Sequence, residues 1–217
     1  MTHSLLSSWL YAMSDYPYAD MTTEYNSMEE FLKVLRREPT ETTEAMQNGI
    51  IFEDLITAIL QGNETFGFFE MYDQDSMNGL IPAETSEHKW YEASLKAANR
   101  VRGGTLQFKA YKQITVNGMD FLVHGRLDVL KAGEIIDIKF SKGYDRGKYF
   151  DSTQHPMYFE LVPEAGKFTY LVSNGNEVWE ETYRRDEAGD IKSVISDFVD
   201  WLNATGYMAL YMEHWAA

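Results

Sequence analysis

The sequence has 217 residues, of which 44% are hydrophobic and 14% aromatic, enough apolar material for the core of one compact domain. It contains no cysteine, which excludes disulfides, thiolate zinc sites and cysteine-ligated iron–sulfur clusters. The longest apolar runs are too short to span a bilayer, and no basic region precedes an apolar stretch at the start. We therefore expect a soluble, intracellular protein of the cytoplasm with no membrane contact.

The charge of the chain is unevenly distributed. The formal net charge of −15 by itself argues against a nucleic-acid partner. Residues 100–150, however, carry ten Lys and Arg side chains against five Asp and Glu, whereas the rest carries nine basic and 29 acidic side chains. One segment of an acidic protein is therefore suited to contact a polyanion, although the acidic exterior predicts only modest affinity.

The N-terminal half has the apolar spacing of helices. Helices are expected over residues 3–13, 27–38, 40–61 and 86–100, capped at their N-termini by Thr2 or Ser4, by Thr40 or Thr42, and by Ser86. Residues 15–23 are expected to form a loop. Residues 61–85 are expected to be irregular, with a weak resemblance to a calcium loop from Asp73 to Glu84.

The second half predicts a sheet. Alternating residues indicate strands over 105–116, 119–130 and 134–140, joined by turns at Asn117-Gly118 and Ala132-Gly133. A helix at about 152–163, a hairpin over 167–173 and 177–185, and helices over 190–204 and 207–215 follow. The fold class is therefore α/β, a central mixed β-sheet flanked by helices, in a single domain over 1–217. Within it we expect a helical N-terminal addition (1–40), a core (41–185) and C-terminal helices (186–217).

Two carboxylates and one amine converge in this sheet. Asp137 and Lys139 are two residues apart on one strand and so share a face, and the hairpin brings Asp128 across from them. Buried carboxylates need a compensating charge, for which a divalent cation is well suited. The alternative is an Asp–Lys ion pair on a solvated face of the sheet.

The order D…D-x-K…Q-x-x-x-Y, completed by Gln154 and Tyr158, resembles the PD-(D/E)XK nuclease superfamily, in particular its RecB-like exonuclease branch of Q-x-x-x-Y type. The resemblance implies a restriction-endonuclease-like αβββαβ core. It further implies a metal-dependent deoxyribonuclease, and an exonuclease because that branch is rich in exonucleases. Such an enzyme would act in DNA recombination, repair or the processing of phage and mobile-element DNA.

The resemblance also assigns roles to residues. Glu53, Asp128, Asp137 and the backbone carbonyl of Ile138 would bind one or two Mg²⁺ or Mn²⁺ ions, which prefer hard oxygen ligands. Lys139 would act on the attacking water, together with Asp128 and Asp137, while Gln154 and Tyr158 would hold phosphate or water. Gly49-x-x-x-Glu53 matches the family's Glu form, although many members have His there. From the residues alone, Glu53 also fits the helix surface, and Tyr158 also fits core packing.

The expected DNA contacts are Arg126, Lys142, Arg146 and Lys148. His124 and His155 flank the site, where either could contact DNA, but a structural role is the favoured interpretation of each. DNA is the expected partner, and a recombinase, single-strand-binding protein or helicase is a candidate second one. Three alternatives stay open: an endonuclease, a module of the same fold that binds without cutting, and an acidic DNA mimic, which the basic segment argues against.

Overall fold

The computed structural model describes residues 1–14, 27–63, 65–68 and 81–215. Its helices are α1 (His3–Met13), α2 (Ser27–Leu35), α3 (Glu44–Gln61), α4 (Tyr91–Val101), α5 (Gln154–Leu161), α6 (Ile191–Thr205) and α7 (Met208–Trp215). Its strands are β1 (Thr65–Phe68), β2 (Ile81–Glu84), β3 (Thr105–Val116), β4 (Met119–Lys131), β5 (Glu134–Phe140), β6 (Lys167–Ser173) and β7 (Val178–Arg184). Within the described ranges, no helix is long and apolar enough to cross a membrane.

The main sheet has five strands in the order β3-β4-β5-β6-β7. Strands β5 and β6 are parallel and every other neighbouring pair is antiparallel. The parallel pair follows from α5, because two parallel strands need a crossover connection and a helix supplies it. The expected α/β architecture with a mixed sheet and flanking helices is confirmed.

Helices cover both faces of this sheet. On one face, α1, α2, α5 and α6 pack into a large apolar core that includes Leu5, Leu6, Leu127 and Phe198. On the other face, α3 and α4 form a second core with Val129 and the β5 side chains. Because α1 and α2 contribute fully buried residues to the first core, the N-terminal segment packs as part of the sheet's helical layer.

The two predicted turns of the β3–β4–β5 meander form as the sequence indicates. Asn117 and Gly118 have φ values of 52° and 75°, as a type I′ hairpin turn requires. Ala132 and Gly133 have φ values of 49° and 77°, so the second turn places an alanine in the left-handed region, which is unfavourable for it.

Several predicted helix boundaries are wrong. Helix α2 ends at Leu35 instead of residue 38, because Arg37 adopts a φ of 55° and turns the chain. Helix α3 starts only at Glu44, and Thr43 caps it because the Thr43 hydroxyl accepts a hydrogen bond from the backbone amide of Met46. Ser86 does not cap α4 either, because it lies in a short 3-10 turn and the helix begins at Tyr91.

The stretch expected to be irregular contains a small second sheet, in which β1 and β2 pair antiparallel. Most of the suggested calcium loop and all of the loop over 15–23 lie outside the described residues.

A bend in β3 and β4 prepares the position of the site. Leu127 belongs to the first core and Val129 to the second, although residues two apart in a regular strand share a face. The flanking pairs would place Gln107 opposite Asp128, but the β3–β4 register skips this position, where Gln107 has a φ of 51°. On its other side, the β4–β5 ladder runs only from Lys131 to Val129. Asp128 therefore lies where β4 bends and its pairing with β5 stops.

Candidate active site

Asp137 is the most enclosed charged residue of the predicted site. It lies on β5 with 3% of its surface exposed. Its Oδ1 accepts a hydrogen bond from Gln154 Nε2 at 2.5 Å, and its Oδ2 lies 2.7 Å from Lys139 Nζ. Beyond this ion pair, Oδ2 has no aligned hydrogen-bond donor among the described residues, although the atom is fully buried. One carboxylate oxygen is thus left with spare capacity for a further positive partner.

Asp128 connects the two strands at the point where their ladder has ended. Its Oδ2 accepts a hydrogen bond from the backbone amide of Ile138 at 2.8 Å. Burial raises the pKa of Asp128 to about 8, and the charges of Asp137 and Glu53 add to this effect. Without a cation the Asp128 carboxyl therefore favours its protonated form near neutral pH.

Lys139 is paired with Asp137. Burial alone would lower its pKa, but the ion pair with Asp137 and the charge of Asp128 outweigh burial and raise it. The ammonium group is therefore charged in the metal-free protein. Only a third of the side chain is exposed, so this is not a freely solvated surface lysine.

Glu53 comes from the opposite helical layer. It lies on α3, which packs against β5, and its side chain is half-buried. Burial raises its pKa, Asp137 raises it further, and Lys139 and Arg126 oppose the shift. Glu53 thus shares an electrostatic environment with the β5 residues, from the far side of the gap between β4 and β5.

Helix α5 supplies the amide and phenol expected from the sequence. Gln154 is the first residue of α5, and Tyr158 follows one turn later on the same side of the helix. The Tyr158 hydroxyl donates to the backbone carbonyl of Arg126 at 3.0 Å. Burial raises the pKa of Tyr158 to about 12, with a further contribution from Asp137, so the phenol stays neutral. Its ring lies against Gly125, where an added Cβ would stand 2.5 Å from Tyr158 Cε1.

The four residues expected to contact DNA are all exposed. Arg126 lies on β4, and Lys142, Arg146 and Lys148 lie on the loop after β5. Lys148 donates to the Ser141 hydroxyl at 2.9 Å.

Glu181 anchors this basic loop and was missed from the sequence. Its buried carboxylate accepts hydrogen bonds from the Tyr144 hydroxyl at 2.6 Å, from the amides of Gly147 and Tyr149 at 3.1 Å each, and from the Tyr183 hydroxyl. The available signal was the alternation of β7, which turns Glu181 inward together with Tyr183.

His3 is a second missed residue, because it is brought in from the far N-terminus. Its ring meets Tyr158 edge-on with centroids 5.4 Å apart. Burial lowers the pKa of His3 to about 4, with a contribution from Lys139, so the imidazole is neutral.

The two histidines singled out in the sequence differ in their surroundings. His155 is buried, stacks on Tyr183 at 4.3 Å and lies 3.2 Å from the Tyr170 hydroxyl, which is a structural role. His124 is half-buried, and its backbone amide donates to the Met1 carbonyl.

The donor set suits a hard cation. Among the residues described, no three or more His, Cys, Asp or Glu side chains form a ready-made metal cluster. Mg²⁺, however, commonly binds through one or two carboxylates and completes its shell with waters and substrate phosphates. A cation bound by these carboxylates would supply a partner for Asp137 Oδ2 and would favour the ionised form of Asp128.

Comparisons with known proteins do not assign the chain to a family. No family model matches it, and no curated protein matches it. One solved structure, described as "Crystal structure of SSO0001", is 20% identical over 52% of this chain and 55% of that chain, with a TM-score of 0.41. The similarity spans about half of that protein and carries no argument about function.

Proposed function

We propose that this protein is a metal-dependent deoxyribonuclease that hydrolyses phosphodiester bonds, with exonucleolytic cutting as its mode. The observation that carries the proposal is the buried Asp137, which is bound by Gln154 and Lys139 and lies on β5 just beyond the point where its ladder with β4, the strand of Asp128, stops. Once β1, β2 and α4 are set aside as insertions between α3 and β3, the order α3, β3, β4, β5, α5, β6 is compatible with a restriction-endonuclease-like core, which forms part of the proposal.

The cation would be Mg²⁺ or Mn²⁺, as one ion or a pair, held by Asp128, Asp137, the Ile138 carbonyl and Glu53. It would supply positive charge for the scissile phosphate and for the attacking water. Oxygen ligands of this kind favour these ions over zinc.

The chain's own groups supply the remaining functions. Lys139 is charged and fixed by Asp137, so it can orient a water molecule or a phosphate oxygen at a defined position. Gln154 combines a donor and an acceptor and keeps its amide nitrogen on Asp137. The neutral Tyr158 phenol is a second donor on the same helix face, once a substrate oxygen replaces the Arg126 carbonyl.

The exposed basic residues are the proposed contacts to the DNA substrate. Arg126 and the basic loop residues Lys142, Arg146 and Lys148 can follow a phosphate backbone on either side of the site. Processing of DNA in recombination, repair or mobile elements fits such an enzyme. Because the exterior is acidic, a helicase, recombinase or single-strand-binding partner would help to deliver the DNA.

The test is digestion of end-labelled linear and covalently closed circular DNA with Mg²⁺ or Mn²⁺, with and without chelator. We expect metal-dependent loss of the linear DNA only, and loss of at least about a hundredfold in rate for Asp137→Asn. Asp197→Asn, an exposed change on α6, is the matched control. Metal binding is measured separately as an upward shift of thermal unfolding by Mn²⁺, which should shrink in Asp137→Asn.

The outcomes separate the alternatives. Digestion of circular DNA would make the enzyme an endonuclease. DNA binding without metal-dependent digestion would leave a binding module on this fold. No binding and no digestion would contradict the proposal altogether.

A further inference from the structure

A groove opens beside the proposed site, between the start of α1 and the β3–β4 hairpin. Its volume is about 500 Å³, and its lining includes His3, Lys109, Tyr111, His124, Arg126 and Tyr158. None of the residues that line it is acidic, whereas the protein as a whole has a formal net charge of −15. This groove is therefore suited to a negatively charged occupant.

The cations of the groove are paired across the hairpin. Lys109 and Arg126 are direct partners in the β3–β4 register, and both side chains are exposed. Directly opposite residues of an antiparallel pair share a face and lie close together. Two adjacent positive charges on a rigid hairpin can bind successive phosphates of one strand.

Tyr111 adds an aromatic surface next to these cations. It is two residues from Lys109 on β3, so the two side chains share a face, and its cross-strand partner is His124. Its side chain is 77% exposed, the largest value among the large hydrophobic residues described as exposed. An exposed ring beside phosphate-binding cations is the usual arrangement for stacking an unpaired base.

The groove adjoins the proposed site through Tyr158. Tyr158 lines the groove and also lies on α5 one turn after Gln154, which binds Asp137. The backbone carbonyl of Arg126, which also lines the groove, accepts a hydrogen bond from the Tyr158 hydroxyl. A strand lying in the groove would therefore lead to the buried carboxylates.

We propose that this groove binds single-stranded DNA, with the base stacked on Tyr111 and the flanking phosphates bound by Lys109 and Arg126. This inference rests on the proposed nuclease function, which makes DNA the substrate. It adds the path that a DNA strand would follow to the site. A paired base could not stack on the ring without leaving its helix, so the contact selects unpaired DNA.

The test is fluorescence anisotropy of labelled oligo-dT and of a closed hairpin duplex, with chelator present so that no cleavage occurs. Tyr111→Ala should weaken oligo-dT binding by about tenfold, while Tyr111→Phe should bind as the wild type does. The control is Leu122→Ala, an exposed apolar residue of the same hairpin outside the groove lining.

The charge contribution is measured by salt titration. Lys109→Gln should reduce the slope of log K against log salt by about 0.7, the value for one phosphate contact to a single strand. Lys96→Gln, an exposed lysine on α4, should leave the slope unchanged. Equal oligo-dT affinity of wild type and Tyr111→Ala would overturn the proposal, and so would equal weakening of the duplex.

The proposals on the groove and on catalysis fail separately. Metal-dependent digestion with no effect of Tyr111→Ala on binding would leave the nuclease without this strand path. Weakened oligo-dT binding in a protein that never digests DNA would leave the groove as a binding site without the chemistry.

Discussion

Replacing Asp128 with asparagine should stabilise the metal-free protein and make its stability less dependent on pH. The folded state raises the pKa of Asp128 from 3.8 to about 8, so the folded protein binds this proton more tightly than the unfolded chain does. Protonated Asp128 therefore stabilises the folded state relative to ionised Asp128. This stabilisation is fully present below about pH 4 and is lost as the pH rises towards 8. Asparagine mimics the protonated carboxyl and keeps an oxygen for the Ile138 amide.

The magnitude follows from the width of this pH window. Each pH unit between the unfolded and folded pKa corresponds to about 1.4 kcal/mol, which sets an upper bound of ~4 kcal/mol at pH 7. The side chain of Asp128 is only half-buried and can regain water, so we expect a gain of about 2 kcal/mol.

The assay is urea unfolding of wild type and Asp128→Asn at intervals from pH 5 to 9 with chelator, and Asp197→Asn as the control. The difference in free energy of unfolding should grow with pH and level off above about pH 8. Added Mn²⁺ should reduce it, because the ion stabilises only the wild type strongly. A variant that is less stable than wild type at pH 8, or a difference that does not vary with pH, would refute the account of Asp128.

The remaining tests address the surroundings of the site. Glu53→Ala should reduce the Mn²⁺-induced rise in melting temperature and slow digestion, and an unchanged melting shift would remove Glu53 from the ligands. Glu181→Gln should cost ~2 kcal/mol in urea unfolding. Burial opposes a charged Glu181, but hydrogen bonds outweigh burial and lower its pKa, so this difference should be complete above about pH 4.5 and should be lost as the pH falls through the lower folded pKa. Gly125→Ala should displace Tyr158 and cost about 1–3 kcal/mol, since the new Cβ would overlap its ring. An unchanged unfolding midpoint in either of these two variants would contradict its predicted contact.

The strands were predictable because their information is local. Alternating side chains and the Asn117-Gly118 turn determine the β3–β4 register without reference to the rest of the chain. The helix starts were less predictable, because several threonines compete for one cap and only packing decides between them. Thr43 caps α3, although Thr40 and Thr42 have equally suitable side chains.

Residue spacing alone predicted the candidate site only where its residues are close in sequence, and the distant Glu53 was expected only from the family resemblance. Asp137 and Lys139 are two residues apart on one strand, so spacing indicated their proximity, whereas Gln154 was placed at the site only by the family resemblance. His3 contacts Tyr158 from the first helix, and no local sequence pattern predicts that contact. The bend at Asp128 also escaped, because the left-handed Gln107 gives no composition signal.

The two kinds of lysine near β5 provide the sharpest test of catalysis. Lys139 is held 2.7 Å from Asp137 and is largely enclosed, whereas Lys142 is exposed on the loop that follows. A flexible exposed cation contributes to DNA affinity at any sequence, so Lys142→Gln should weaken binding and lower the salt slope by about one. Under the proposed function, an enclosed cation fixed beside the carboxylates would contribute to the reaction instead.

Lys139→Ala should therefore leave DNA affinity nearly unchanged while single-turnover cleavage falls by about a hundredfold or more. Lys139→Arg should not restore the rate, because a planar guanidinium directs its donors differently from the ammonium paired with Asp137 and would orient the water or phosphate oxygen elsewhere. Binding and cleavage are measured on the same preparations, with Lys142→Gln alongside. If Lys139→Ala lost affinity as Lys142→Gln does and kept its rate, Lys139 would be a phosphate contact. The ion pair with Asp137 would then serve to neutralise a buried carboxylate, and the argument for water activation at this residue would fail.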